Sequence, residues 1–230
     1  MTTLQDISRF RNGLSDAIAG SFAANSGFPA MDQGMRLAQF EDFTEFRAGD
    51  WDASNSAGGG FALLTSEPGG VLRASGTAGQ TAFLLAEGRP IEFTEGQELW
   101  FDARVRTNLV TSQLVCGLAA DTTTDNEIIW DMDAIGTLEA TLNVGGGTPV
   151  TLSTTSIITP DVFTRISIFV SAQGEVFLFI NDRTPSVPST GDPIPYDVAL
   201  SPFFGGFNAV SSFNIDFDYL CIVVADGRPA

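Results

Sequence analysis

The chain contains no lysine and no histidine in its 230 residues. A serine or cysteine nucleophile would therefore lack its usual activators, which nearly closes nucleophile-plus-base catalysis. Positive charge is scarce in general: 11 arginines stand against 28 acidic residues, for a net charge of −17. Such a surface repels nucleic acid and anionic membrane, and neither is expected as a partner. Cysteine is limited to Cys116 and Cys221, each inside an apolar strand pattern. Buried free thiols are the expected outcome there, ahead of a disulfide. No apolar run is long enough to span a bilayer. The first residues lack the basic start and apolar core of a signal peptide, so use without export is expected.

What is abundant points to strands. Nineteen Phe and 24 Gly, with many Thr, Ser and Val, favour β-structure and tight turns. Residues 163–183, FTRISIFVSAQGEVFLFINDR, read as a hairpin. Ile166, Ile168 and Val170 alternate with Ser and Phe, Ser171 to Gly174 supplies the turn, and Val176, Leu178 and Ile180 resume the alternation. Phe177 and Phe179 then occupy the opposite face, and a strand apolar on both faces needs cover on both.

The chain divides into an arm, 1–38, and a β-domain, 39–230. In the arm, Leu4, Ile7, Phe10, Leu14 and Ile18 recur at three- and four-residue steps, the stripe of an amphipathic helix. Gly20 and Gly27-Phe28-Pro29 end it. The stripe either packs on its own sandwich or reaches another subunit or a shell. From Phe40 the pattern is β throughout. Strands are expected at 40–43, 61–65, 71–75, 81–86, 99–106, 114–119, 128–133, 137–144, 148–153, 163–183 as a pair, and 213–224. In the last, Phe213, Ile215, Phe217 and Tyr219 are expected to face inward. This count and spacing predict an all-β, two-sheet antiparallel sandwich of jelly-roll type.

Four segments, in this order, resemble the concanavalin A-like jelly roll as found in structural proteins of tailed-bacteriophage virions. They are Phe40-Glu-Asp-Phe43, Gly117-Leu118 running on to Trp130-Asp131, Gly174-Glu-Val176-Phe-Leu-Phe179-Ile180-Asn181, and Ile215-Asp216-Phe-Asp218-Tyr219. Asp182 stands where the family usually has a further Gly. The resemblance covers about residues 40–226 and implies a virion structural role, capsid decoration or cement above all. The fold also serves lectins, glucanases and tail fibres.

Because related folds host retaining glycosidases, paired acids need weighing. Asp131-x-Asp133 and Asp216-x-Asp218 each place two carboxylates on one strand face, but neither extends to the third acid of the glucanase strand motif. A solvated strand face explains both. Asp121, Asp125, Asn126 and Glu127 are oxygen donors of the kind calcium takes, yet the EF-hand spacing is absent and a turn accounts for them. The legume-lectin metal pair also uses a His, which this chain lacks. Gly58-Gly-Gly60 and Gly145-Gly-Gly147 read as turns, not phosphate cradles. No cofactor or metal is therefore expected.

The expectation drawn from these residues is a non-enzymatic capsid decoration protein on the virion exterior, made in the host cytoplasm. Its partners would be the major capsid protein, met by the stripe Leu4, Ile7, Phe10, Leu14 and Ile18, and further copies of itself, a homotrimer by shell geometry. Trp100, Arg104, Arg106, Phe177 and Phe179 are the expected oligomer or partner face, since Trp and Arg are common interface anchors. The alternative is a glycan-binding module of a tail fibre or host-recognition protein. A secreted carbohydrate-active enzyme is a third option, disfavoured by the absent signal peptide.

Overall fold

A computed structural model describes residues 35–226, apart from 42, 44, 66, 68–69, 89, 123–124, 134 and 182–188. The arm residues Leu4, Ile7, Phe10, Leu14 and Ile18 lie outside the described residues. Among those described, the strands are β1 (Met35–Glu41), β2 (Trp51–Asn55), β3 (Gly60–Leu63), β4 (Leu72–Gly76), β5 (Gln80–Ala86), β6 (Gln97–Thr107) and β7 (Gln113–Ala119). They continue with β8 (Glu127–Met132), β9 (Thr137–Asn143), β10 (Val150–Ile157), β11 (Thr164–Val170), β12 (Val176–Ile180), β13 (Ser201–Asn208) and β14 (Phe213–Asp226).

They form two seven-stranded antiparallel sheets, a jelly-roll sandwich. Sheet I runs β12-β11-β6-β14-β4-β3, with β1 pairing β14 beyond the point where β4 stops; sheet II runs β10-β9-β8-β7-β13-β5-β2. Strand alternation builds the core between them. Leu99, Phe101, Ala103 and Val105 of β6 face Leu114, Cys116 and Leu118 of β7 and Ile128, Trp130 and Met132 of β8 across one buried cluster. Phe204 sits at an aromatic junction, 4.8 Å from Phe217, 5.1 Å from Trp51 and 5.6 Å from Phe43 between ring centroids.

The expected hairpin at 163–183 is β11–β12, with Ile168 opposite Leu178 and Phe169 opposite Phe177. Its turn closes through Gly174 N–H donating to the Ser171 carbonyl at 2.9 Å, with Gly174 at φ +76°. Asn181 ends β12 at φ +49°, a conformation Asn tolerates, and its Oδ1 accepts from Arg165 N–H at 3.0 Å. The hairpin expected at 137–153 is β9–β10.

Three expectations need correction. The first strand lies at Met35–Glu41, ahead of the Phe40–Phe43 span; Phe43 itself leaves the ladder at φ +50° and is buried among aromatics. Strands β2 and β13 both fall outside the expected strands, β2 at the edge of sheet II and β13 at its heart between β7 and β5. The SPFFGGFN sequence of β13 carries Pro202, Gly205 and Gly206, residues that argue against a central strand. Finally, Tyr219 does not face the core. A bulge between Phe217 and Tyr219 moves β14 by one residue, so Leu220, Ile222 and Val224 continue the core row while Tyr219, Cys221 and Val223 face outward.

The glycines of β13 are there for closeness. A Cβ on Gly206 would run into Ile215 Cδ1 and lie 2.7 Å from the Gln113 carbonyl oxygen. Gly206→Val is therefore expected to cost about 1–3 kcal/mol by overpacking, read as a lower midpoint in denaturant unfolding. A midpoint equal to wild type would show that the two sheets have slack at this point.

Cys116 and Cys221 are separate buried thiols, one in the core between the sheets and the other on the outward side of sheet I.

Candidate functional site

Pairing register maps the outward face of sheet II row by row. One row crosses Ser153, Glu139, Asp131, Val115, Gly205, Phe83 and Ser54. The next crosses Thr151, Thr141, Ile129, Gly117, Phe203, Leu85 and Asp52. A third holds Asn143, Glu127, Ala119 and Ser201. The face thus has two halves. Val115, Ala119, Ile129 and Phe203 make an apolar floor, with Phe83 and Leu85 half-buried beside it. Phe83 stacks on Phe203 at 5.6 Å and 26°. Glu127, Asp131 and Glu139 line the other half. Gly117 keeps the floor open between Ile129 and Phe203, since a Cβ there would meet the Ile128 carbonyl and the Ile129 backbone.

These acids are perturbed by where the strands put them. Asp131 and Glu139 are direct cross-strand partners, with Cβ atoms expected about 4.5–5.5 Å apart. Burial pushes the Asp131 carboxyl up to about 6; the charges of Glu139 and Asp133 add to this, against a 2.7 Å hydrogen bond donated by Met132 N–H. Glu127 is 3% exposed, and its Oε2 has no hydrogen-bond partner among the described residues. Burial, with a contribution from Asp131, pushes its carboxyl up to about 7. Carboxyls poised near neutrality on one face are a functional-site signature.

The acid pairs expected from sequence separate. Asp133 belongs to the β8–β9 turn, where its Oδ1 accepts from Ile135 N–H at 2.9 Å and Thr137 N–H at 2.7 Å. Asp131 instead stands opposite Glu139, with Glu127 two rows along the same strand face. The alternation Glu127-x-Ile129-x-Asp131 was the available signal; Glu139 becomes visible only through the β8–β9 register. The candidate calcium loop also comes apart: Asn126 Oδ1 accepts from Gly145 N–H at 2.8 Å, the Asp125 carbonyl accepts from Gly146 N–H at 2.9 Å, and Glu127 turns onto the sheet. Among the described residues no group of three or more metal-ligating side chains is assembled.

Asp216 and Asp218 lie on the other sheet, inside ion pairs. Arg73 and Arg106 both grip Asp216, at 2.6 Å each, and Arg104 holds Asp218 at 2.7 Å. Arg104 and Arg106 also stand 4.5 and 4.3 Å over the Phe163 ring. Trp100, Arg104 and Arg106 share the outward face of β6, and Phe177 and Phe179 that of β12, as the alternation predicts. Trp100 is 4% and Phe179 2% exposed; Phe177 is half-buried, and the Arg104 side chain keeps 45% of its surface.

No protein-family model and no curated protein matches the chain. Solved structures do match in fold. An endo-1,3-β-glucanase from Streptomyces sioyaensis aligns with TM-score 0.58 at 10% identity, over 86% of this chain and 99% of that one. The Emp47p carbohydrate recognition domain aligns with TM-score 0.57 at 12% identity, over 87% and 100%. The carbohydrate esterase vb_24B_21 from the Shiga toxin-encoding bacteriophage phi24B aligns with TM-score 0.55 at 13% identity, over 84% and 100%. Such neighbours are concanavalin A-like jelly rolls, and at these identities the likeness is one of fold. They also correct one expectation. Against the expectation of a non-enzymatic chain, its fold neighbours include glucanases and a glucuronan lyase.

Proposed function

We propose that this chain binds glycans through the outward face of sheet II. One observation carries the reading: three carboxylates, Glu127, Asp131 and Glu139, share this face with an apolar floor of Ile129, Val115 and Phe203 edged by Phe83 and Leu85. Sugar rings present apolar faces and polar rims, and a surface with both kinds of group side by side meets both. The carbohydrate recognition domain and carbohydrate esterase among the fold neighbours support it. Capsid decoration rests on motif order alone and gains nothing from this face. The bacteriophage neighbour is compatible with a glycan-recognising role on a virion.

Charge narrows the ligand. The four arginines described in ion pairs with buried acids, Arg73, Arg104, Arg106 and Arg165, all belong to sheet I. The sheet II face carries acids, so it suits neutral or amino-bearing glycans and disfavours uronates. On a glycan array the full chain is expected to retain neutral or amino polysaccharides and to pass over polyuronates. Phe83→Ala should weaken the binding about tenfold, on the order of 1.4 kcal/mol. Preferential capture of polyuronates, or unchanged affinity in Phe83→Ala, would refute this face.

A second reading rests on Asp131 opposite Glu139. Carboxyls about 5–5.5 Å apart suit retaining glycoside cleavage, and a directly opposed cross-strand pair allows that separation. A group raised to about 6 can hold a proton for the leaving oxygen. Release of reducing sugar that falls by about 100-fold or more in Asp131→Asn would establish it; binding without release leaves the chain a lectin.

A further inference from the structure

Antiparallel pairing sorts the connecting loops into two sets, one at each end of the sandwich, and the two ends differ in kind. One end carries 108–112 between β6 and β7, 133–136 between β8 and β9, 158–163 between β10 and β11, and 209–212 between β13 and β14. Turns are ordinarily dominated by Gly, Asn, Asp and Ser, but these tips are aliphatic. Five large hydrophobic side chains are exposed among the described residues, and four belong to this end: Ile135 at 70%, Ile157 at 62%, Val162 at 51% and Val210 at 76%. Leu109 and Val110 of the same end are half-buried. A single exposed aliphatic needs no explanation, whereas four gathered at one end do.

Hydrogen bonds join these loops into one platform. Ile158 N–H donates to the Gly136 carbonyl at 3.0 Å, and Asp161 N–H to the Thr107 carbonyl at 2.8 Å. Asn108 Oδ1 accepts from Asn214 N–H at 2.8 Å. Asn208 Nδ2 donates to the Thr111 carbonyl at 3.1 Å, and its Oδ1 accepts from Val210 N–H at 2.9 Å. A Cβ on Gly136 would lie 2.8 Å from Val110 Cβ, so these two tips are closely packed. The aliphatic side chains thus stand on ordered backbone, and a contact through them has little chain to immobilise.

Charge divides the ends as sharply. The described residues of those four loops carry two charged side chains, Asp133 and Asp161, and Asp133 is held in its turn by the N–H groups of Ile135 and Thr137. Loops at the opposite end hold Glu87, Glu92, Glu95, Asp121, Asp192 and Asp197 among their acids. The base described there, Arg47, is paired with Glu45 at 2.8 Å.

We infer that the aliphatic end docks on the same end of a second copy of this chain, giving an end-to-end dimer with two-fold symmetry. Charge selects that occupant and that geometry. Two chains of net charge −17 repel, and contact through this end sends the acidic loops to opposite poles. Seven-residue strands such as β7 separate the ends. At about 3.4 Å per residue the acidic loops stand on the order of 24 Å from the contact, about three Debye lengths at physiological salt. The area suffices. Two sheets about 10 Å apart and seven strands wide, with their outward side chains, present an end of roughly 600–700 Å². Both partners together bury about 1,200–1,400 Å², inside the range of specific interfaces. A two-fold contact requires a patch complementary to itself, which aliphatic tips supply. The outward face of sheet II stays open in such a dimer, so the contact is independent of the glycan reading.

Sedimentation equilibrium of the full chain over a wide concentration range tests the contact. A monomer–dimer equilibrium is expected, and it should tighten as salt screens the repulsion between the two chains. Ile135→Asp with Val210→Asp should weaken the dimer about 100-fold, roughly tenfold for each aliphatic tip replaced by a charge. Both side chains are exposed, so the denaturant midpoint should stay at the wild-type value. Ile135→Ser with Val210→Ser adds no charge and should weaken the dimer about tenfold. Val144→Asp, in the β9–β10 turn at the opposite end, should leave it unchanged. Three outcomes overturn the inference. They are a monomer at every concentration, an association that survives both double substitutions, or a monomer that floats with phosphatidylcholine vesicles until the aspartates are introduced. The last would make a lipid surface the occupant of this end.

Discussion

Asp102→Ala is expected to lower the melting temperature by about 6–20 °C, the largest stability loss any single substitution outside the core should give. Asp102 lies mid-strand in β6, 1% exposed, between the core residues Phe101 and Ala103. Its carboxylate accepts from Arg165 Nε at 2.9 Å and Arg165 Nη2 at 3.0 Å, from Ser167 Oγ at 2.7 Å, and from Tyr219 O–H at 3.2 Å. Burial opposes its ionisation and those donors favour it, so the group is tolerable only while all of them are in place. Removing one member of such a pair costs about 3–5 kcal/mol, because the remaining charge is left buried without its counter-charge. For a chain of this size each kcal/mol moves the melting temperature by about 2–4 °C.

The double replacement Asp102→Leu with Arg165→Leu separates the pair's net worth from the cost of breaking it. It should recover most of the loss, since apolar replacement of a buried pair is often neutral. Should Asp102→Ala melt within a degree of wild type, the network around it would be decoration. Its surroundings have a second consequence: burial with the Asp102 charge pushes the Cys221 thiol up to about 12, so Cys221 stays a thiol at neutral pH and reacts only if uncovered.

How far the sequence carried the fold depends on how regular each strand is. The long alternations of β6 and of the β11–β12 hairpin declare themselves, because every second residue is apolar and the turn holds Gly174. Strand β13 is silent. Pro202, Gly205 and Gly206 read as loop, and only the close approach of Gln113, Ala82 and Ile215 shows why glycine is required there. Tyr219 was misplaced because a one-residue bulge carries no sequence signal of its own, yet it reverses every side chain that follows. The site suffered most. Glu127 follows a Thr- and Asp-rich loop and was weighed there as a calcium ligand, while its position as the first outward residue of β8 follows from pairing with Asn143 and Ala119. Long-range register is what brings Glu139 to Asp131, and a single sequence does not contain it.

Glu127→Gln should stabilise the fold and blunt its function, the second large effect expected. In the folded chain Glu127 titrates at about 7 against an ordinary value of 4.5. Below about pH 4.5 it is protonated folded or unfolded and costs nothing. Between pH 4.5 and 7 the folded state holds the proton that the unfolded state releases, so stability falls as pH rises; above 7 the full penalty is present. At about 1.4 kcal/mol per pH unit the penalty is on the order of 3–4 kcal/mol. The glutamine variant carries no such charge, so it should melt several degrees above wild type at pH 8 and alongside it near pH 4.5. Function runs the other way. The Glu127 Oε2 is buried without a hydrogen-bond partner among the described residues; a sugar hydroxyl that reaches it as the ligand seats would donate to it, and such a bond favours the ionised carboxylate. Glycan affinity should therefore rise from pH 5 to pH 8 in wild type and stay flat, and weaker at pH 8, in Glu127→Gln. A residue kept at a cost to stability is one whose charge is used; a variant that is both more stable and equally good at binding would place the glycan away from β8.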